Sequence, residues 1–422
     1  MGPRNLCDCI VIKLGGSVLE NESSIARSAH LVKSILEKGN KVVVVVSAMK
    51  GVTDSLISIS RQVNPNMEAS ILDELLATGE KTSARLMAAA LALRGIDTVV
   101  LDPDMPDWPV ITDDTYQDAN PILELTRERV EQNVLPIIER GSVPVICGFL
   151  GKTVRNKITT LGRGGSDTTA VLIGNCLNAK EVLLIKDVEG VFSSDPDRVT
   201  QPRLIETLNG EEAELLAAGG AKFLHSKALR FHVNGMKIRV TSLAKSEAGT
   251  IIEYNSSPKV MDVQITSKSV SMLTVVGIST NDSGPLDRIA TAIRSAGGNI
   301  LSLSLEENSA IFYVDGGEGL LDSVHSEIVN SGTAKAVSSY DGLSMVTIKG
   351  KMLETKPGIV QIVTQPLAKA GINLFGIITI HSSIRLFVSN EQTDSVTRLV
   401  REAVGDQKTN LKGKAVINQE VT

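Results

Sequence analysis

Aromatic side chains are scarce: Trp, Tyr and Phe together make up 3% of 422 residues, with a single Trp. Proteins that grip single-stranded nucleic acid stack bases on such rings, and duplex binders need a basic surplus, whereas the formal net charge here is -5. No nucleic-acid partner is expected. Cysteine is equally sparse, and four in the whole chain cannot make a disulfide framework. Cys7 and Cys9 stand at C-x-C spacing, but no second Cys or His cluster completes a metal site. They read as passive thiols, and no protein-bound metal is expected. Long apolar runs are missing too. The longest, Val42 to Val46 ("VVVVV"), has the length and β-branching of a buried strand and falls far short of the roughly 20 residues of a membrane span. The opening "MGPRNLCDCI" has no charged start before a long apolar stretch. A cytoplasmic protein with no membrane partner is expected.

What is present is globular: 42% hydrophobic and 22% charged residues, in a length that suits roughly two to four domains. The first part alternates strand and helix signals. "CIVIKL" (Cys9 to Leu14), "KVVVVVSA", "DTVVLD", "VPVICGFLG" and "EVLLIKDV" (Glu181 to Val188) read as strands. Ser28 to Lys38, Leu72 to Leu93 and Glu124 to Arg140 carry helical spacing between them, closed by Gly39, Gly95 and Gly141. Continuous apolar strands separated by amphipathic helices imply an α/β fold, with a mostly parallel sheet sandwiched by helices. Ligands in such folds collect at the carboxyl ends of the strands.

After about Ser256 the texture changes to a βαββα unit of about 70 residues, which then repeats. The first copy runs from "KSVSMLTVVGIS" through a Gly284-Pro285 turn, and the second from "LSMVTIKG" through Lys356-Pro357-Gly358. Neither copy carries a glycine-rich phosphate loop or a constellation of catalytic side chains, which suits a small-ligand sensor that also dimerises.

The chemistry-bearing residues lie in the first part. "VIKLGGS" ends a strand in Lys13, Gly15 and Gly16, where backbone N–H groups and an ammonium can meet an anion. It is neither a Walker loop nor a dinucleotide fingerprint. "TLGRGGSDTTA" (Thr160 to Ala170) packs three glycines, Arg163, Ser166 and Asp167 before an apolar helical run. A helix N-terminus favours negative charge, Arg163 can grip a carboxylate or phosphate with its planar fork, and Ser166 or Asp167 can cap the helix. "KDVEGVFSSDPDRV" (Lys186 to Val199) forms a tight loop at a strand end, suited to a purine or to an ordinary surface turn. Lys222 in "GAKFLHSKAL" is a candidate anion contact, and the lone His225 beside it reads as structural. Ser47, Thr53 and Glu80 can receive a zwitterion, with Glu80 on its amino group while Arg163 holds a carboxylate.

In this order, "KLGGS", "VVVVSAMKGVTD", "LLATGE", "GFLG", "TLGRGGSDTTA", "KDVEGVFSSDPDRV" and "GAKFLHSKAL" resemble the aspartate kinases of the amino acid kinase family, and the tandem tail resembles a pair of ferredoxin-like ACT domains. The resemblance implies an amino acid kinase domain at 1–255 and ACT domains at 268–340 and 341–418. It implies transfer of the ATP γ-phosphoryl group to the side chain of L-aspartate, with Mg²⁺, as the first step towards lysine, threonine and methionine. Lys13 and Asp167 would be catalytic. Ser47, Thr53, Glu80, Phe149, Arg163 and Ser166 would line the aspartate site. Lys13, Gly15, Gly16, Lys186, Asp187, Phe192 and Lys222 would contact the nucleotide. A homodimer or higher homo-oligomer, with lysine or threonine as effector, is expected. Departures exist: "KLGGSVL" stands where the family start is closer to "KFGGTS", and Asp195-Pro196-Asp197-Arg198 places the arginine one residue late. A kinase for another acid, N-acetylglutamate or glutamate, and a catalytically silent amino-acid sensor stay open as alternatives.

Overall fold

The computed structural model describes residues 8–221, 223–253, 262–278, 283–350, 353, 358–380 and 383–417. Two compact units make up the chain, Met1–Ser257 and Pro258–Thr422.

The first unit begins with β1 (Cys9–Leu14), α1 (Glu22–Glu37), β2 (Lys41–Val46), α2 (Val52–Val63), α3 (Ala69–Ala92) and β3 (Thr98–Leu101). Next come β4 (Ile111–Thr112), α4 (Leu123–Arg129), a π-turn over Val130–Val134, α5 (Leu135–Glu139), β5 (Val143–Cys147), β6 (Leu150–Thr153), β7 (Ile158–Thr160) and α6 (Gly165–Leu177). It closes with β8 (Glu181–Lys186), β9 (Val191–Phe192), β10 (Leu204–Ile205), β11 (Thr207–Asn209), α7 (Gly210–Ala218), α8 (Ser226–Leu229), β12 (Lys237–Ser242) and β13 (Thr250–Glu253).

Eight of these strands form one sheet in the order β11-β13-β12-β8-β1-β2-β5-β3, parallel at every pairing but β12–β13. All of β1 and five of six residues of β2 are buried, as continuous apolar strands covered on both faces must be. β1 sits between β8 and β2, so the chain winds outward from it in both directions. That reversal opens a crevice past the carboxyl ends of β1 and β8, the usual place for a ligand in this class. α6 is buried along all thirteen residues, the pattern of a helix held in the core.

Three local readings change. "VPVICGFLG" is not one strand: β5 belongs to the large sheet and β6 to a small sheet of order β4-β6-β7. The chain turns at Gly148, where a Cβ would come within 2.8 Å of the Val46 carbonyl and of Ser166, and at Phe149, which adopts φ 67°. α1 starts at Glu22, capped by Asn21 in a reciprocal capping box with Ser24, earlier than Ser28. β12 and β13 add two strands that the apolar pattern did not single out.

The second unit holds β14 (Asp262–Val276), α9 (Ser283–Ser295), β15 (Asn299–Glu306), β16 (Ser309–Asp315), α10 (Leu320–Ser331), β17 (Ala336–Lys349), α11 (Ile359–Lys369), β18 (Gly376–Ile380), β19 (Ser383–Ser389) and α12 (Thr393–Ile417). Its six strands form one sheet, β15-β16-β14-β17-β19-β18, antiparallel throughout. Each βαββα repeat borrows a fourth strand. Val270 to Val276 pair with β17 from Leu343 back to Ala336, while Asp262 to Ile265 pair with Lys349 back to Val346. The second repeat's sheet is therefore completed by residues that precede the first repeat, so the two modules interleave rather than follow one another. Gly284-Pro285 is the first turn of α9 rather than a loop, a position where the missing proline N–H is harmless. Lys356 and Pro357 lie outside the described residues, and Gly358 caps α11 at φ 83°.

Candidate active site

β1 delivers Lys13 and β8 delivers Lys186 to the same crevice, and the first turn of α6 places Asp167 between them. The Lys13 ammonium lies 2.8 Å from one Asp167 oxygen, and that of Lys186 donates to the other at 2.7 Å. Burial alone would raise the Asp167 pKa, but the two lysines outweigh it and hold the carboxyl far below the usual range. Burial lowers the Lys13 pKa, and Asp167 pulls it back up. A buried and a half-buried ammonium group against one carboxylate leave a positive surplus that an anion can neutralise.

Beside this triad opens a cavity of about 570 Å³ whose lining includes Lys13, Ser47, Thr53, Glu80, Phe149, Arg163, Ser166 and Asp167. Asp54, Ile57, Arg61, Leu72, Leu76, Gln117 and Thr160 also line it. Glu80 belongs to the interior of α3. Gly79 lets that helix approach the end of β2, since a Cβ there would lie 2.9 Å from the Ala48 methyl. The Ala48 N–H donates to Glu80 Oε1 at 3.0 Å. Glu80 Oε2 is buried with no hydrogen-bond partner among the described residues, and burial pushes the Glu80 pKa up to about 7. An acid in that state calls for a cation. Arg163 is exposed on the lining, without an ion-pair partner among the described residues.

The glycine-rich loop is explained by how tightly it is enclosed. Gly162 (φ 72°) and Gly164 (φ 69°) adopt left-handed conformations that suit glycine. A Cβ on the first would come within 2.5 Å of the Asp118 carboxylate, and one on the second within 2.2 Å of the His225 Cβ. α6 then starts with Gly164 as N-cap and no side-chain cap, so neither Ser166 nor Asp167 caps it; both lie inside the helix and line the cavity.

The remaining candidates lie apart from this cavity. Gly15 N–H donates to the Ile185 carbonyl at 3.2 Å and is taken up by the fold, which corrects the expectation that it serves an anion. Gly16 is crowded by the Ala48 carbonyl, 2.7 Å from an added Cβ. Gly15 thus lies against β8 and Gly16 against the loop that follows β2. Asp187 is exposed and Phe192 half-buried, one directly after β8 and the other in β9, and neither lines the cavity. Lys222 lies outside the described residues. Arg198 sits on an exposed turn closed by bonds from the N–H groups of Arg198 and Val199 to the Asp195 carbonyl.

The sequence model of the amino acid kinase family matches residues 8–242, more than half of the chain and nearly all of the first unit. The chain belongs to the amino acid kinase family. An ACT domain model matches residues 338–402, the second repeat of the second unit. Among curated members of the family, the aspartokinase of Geobacillus stearothermophilus is 30% identical over 406 residues, covering 94% of this chain and 97% of that one. An aspartokinase of Thermus thermophilus is 29% identical over 408 residues, covering 93% and 98%. Among solved structures, an aspartate kinase from Synechocystis has a TM-score of 0.75 at 26% identity, covering 94% of this chain and 69% of that one. An E. coli aspartokinase III solved with aspartate and ADP has a TM-score of 0.53 at 22% identity, covering 94% and 99%. That last likeness speaks for the fold alone.

Within this family member, sequence reasoning missed Asp54, Arg61, Gln117 and Thr160 on the cavity wall. Arg61 is an ordinary polar residue of α2 in sequence, with no motif to mark it, and Asp54 closes the stretch "VVVVSAMKGVTD" without a feature that singles it out there. Gln117 carries a signal visible only in three dimensions, a left-handed φ of 67° at a residue that rarely adopts it.

Proposed function

We propose that this chain transfers the γ-phosphoryl group of ATP to the side-chain carboxylate of L-aspartate, giving 4-phospho-L-aspartate and ADP. The observation that carries this reading is the pairing, in one cavity, of an unpartnered buried Glu80 oxygen with the exposed Arg163 guanidinium. A zwitterion with a free amino group satisfies both: its ammonium meets Glu80, and its α-carboxylate meets the fork of Arg163. An N-acetylated acid would leave the Glu80 oxygen without a donor. Ser47, Thr53, Phe149 and Ser166 complete the acceptor side. Names of the relatives point the same way.

The substrate's side-chain carboxylate is already the nucleophile. It forms a bond to the γ-phosphorus as the bond to the β,γ-bridging oxygen breaks, and no proton has to be removed. Catalysis is then alignment plus neutralisation of charge. Lys13 meets the transferring phosphoryl group and Lys186 the nucleotide phosphates. Asp167 holds the two ammonium groups in place. Asp187, Phe192 and Lys222 belong to the nucleotide side, with Gly16 rather than Gly15 offering an N–H. Among the described residues no group of three or more His, Cys, Asp or Glu gathers as a metal cage, and Asp167 is engaged by two lysines. Mg²⁺ enters the reaction as part of the MgATP substrate, screening its phosphates.

The interleaved repeats of the second unit act as a tandem ACT sensor for lysine or threonine and as the contact of a homodimer or higher homo-oligomer. We place the protein in the cytoplasm, where aspartate and ATP are supplied; among the described residues no helix is long and apolar enough to cross a membrane. Hydroxylamine tests the reaction directly, because it converts an acyl phosphate to a hydroxamate. Hydroxamate that forms only with both MgATP and L-aspartate is expected, and its absence refutes the reading.

A further inference from the structure

Two charged side chains of the first unit are buried without touching the positions assigned to reacting groups. Asp73, on α3, is fully buried. Its carboxylate accepts from the N–H groups of Gln117 at 3.0 Å and Thr160 at 2.9 Å, and from the Thr160 hydroxyl at 2.8 Å. Lys227, on α8, is 4% exposed. Its ammonium donates to the Asp118 carboxylate at 2.8 Å and to the carbonyls of Asp118 at 3.3 Å, Ala119 at 2.9 Å and Leu161 at 2.8 Å.

These seven bonds converge on two short segments, 117–119 and 160–161, joined to each other by the Ala119 N–H and the Thr160 carbonyl at 2.9 Å. The anion takes only donors of the pair and the cation only acceptors. Taking both charges out of water costs free energy that an apolar filler would avoid, so the arrangement calls for a use beyond packing. Its location supplies one. Gln117 and Thr160 line the acceptor cavity themselves, and the segment after Leu161 carries Arg163, Ser166 and Asp167 into it.

We propose that Asp73 and Lys227 are positioning residues for the acceptor pocket, an anion and a cation that together clamp the 117–119 and 160–161 segments and so fix where Arg163 stands. The proposal rests on the aspartate kinase reading for the identity of the acceptor, though not for the clamp itself. Four oxygens around one ammonium also form a cage that a free alkylammonium ion can enter when the lysine side chain is cut back.

Lys227→Ala, assayed as the full chain, tests this. Its KM for L-aspartate should rise about tenfold or more through the displaced Arg163 loop, with the KM for MgATP changed less than about twofold. n-Propylammonium, which replaces the deleted atoms, should restore the aspartate KM. Tetramethylammonium, which cannot donate a hydrogen bond, should not. A purely structural lysine would lower the melting temperature and leave both KM values unchanged and insensitive to the amine; that result overturns the proposal. Amide hydrogen exchange provides a readout independent of substrate identity. Lys227→Met and Asp73→Asn should each speed exchange at residues 117–119 and 160–168 relative to β1 and β2. Unchanged exchange there refutes the clamp, also in the case that Lys227→Ala does not fold. If the wild type fails to phosphorylate aspartate, the functional reading falls and the exchange measurement still decides the clamp.

Discussion

Replacing Glu80 by glutamine, and titrating the unaltered protein, probes the acceptor site most sharply. Burial moves the Glu80 pKa from 4.5 to about 7, a distance worth about 3 kcal/mol at 1.36 kcal/mol per unit. The unfolded chain releases this proton near pH 4.5, while the folded protein keeps it until about pH 7. Stability from this group is therefore fully present below pH 4.5 and falls as pH rises towards 7, levelling off above that. Glu80→Gln should remove that slope in urea denaturation between pH 5 and 8. Substrate binding runs the other way, because the aspartate ammonium needs the ionised acid. A group with pKa about 7 is roughly one-tenth ionised at pH 6 and nine-tenths at pH 8, so the KM for aspartate should fall about tenfold across that range. Glu80→Gln should raise it by about 10- to 100-fold at pH 8, the worth of a hydrogen bond to a charged group, and abolish its pH dependence. An aspartate KM that ignores pH in the wild type, or one left unchanged by Glu80→Gln, refutes the assignment of Glu80 to the amino group.

Lys13→Met should lower kcat by about 100-fold or more, as loss of one preorganised charge contact does, while the circular dichroism spectrum stays native because Lys186 still pairs Asp167; full activity contradicts the role given to Lys13. Gly164→Ala places a Cβ 2.2 Å from that of His225 in a left-handed conformation and should destabilise the first unit by about 2 kcal/mol or more in chemical denaturation. An unchanged midpoint would show that the loop has room to yield. Light scattering at micromolar concentration should find a dimer or larger assembly, and a monomer would contradict the association assigned to the second unit.

Much of the fold was legible because apolar strands and helical spacing are local signals. β1, β2 and β8 stand where their apolar runs are, and Lys13, Ser47 and Lys186 lie at strand ends that sequence alone marks. What was illegible depends on contacts distant in sequence. Asp73 is one acid in an ordinary helical stretch, and its importance appears only when Gln117 and Thr160 fold against it. Lys227 was overshadowed by its neighbours Lys222 and His225, since nothing local shows that three carbonyls will surround it. Gly15 read as an anion contact because a Gly-Gly after a strand looks open, whereas β8 occupies its N–H. The pairing of Asp262 to Ile265 with the far end of β17 bridges most of the second unit, and no periodicity within either repeat announces it.

The measurement that bears most directly on the central claim is ADP release with MgATP and each of three acceptors: L-aspartate, L-glutamate and N-acetyl-L-glutamate. The site of Glu80 and Arg163 predicts turnover that depends on L-aspartate and is negligible with the acetylated acid. Turnover on N-acetyl-L-glutamate and none on L-aspartate would contradict the acceptor assigned here.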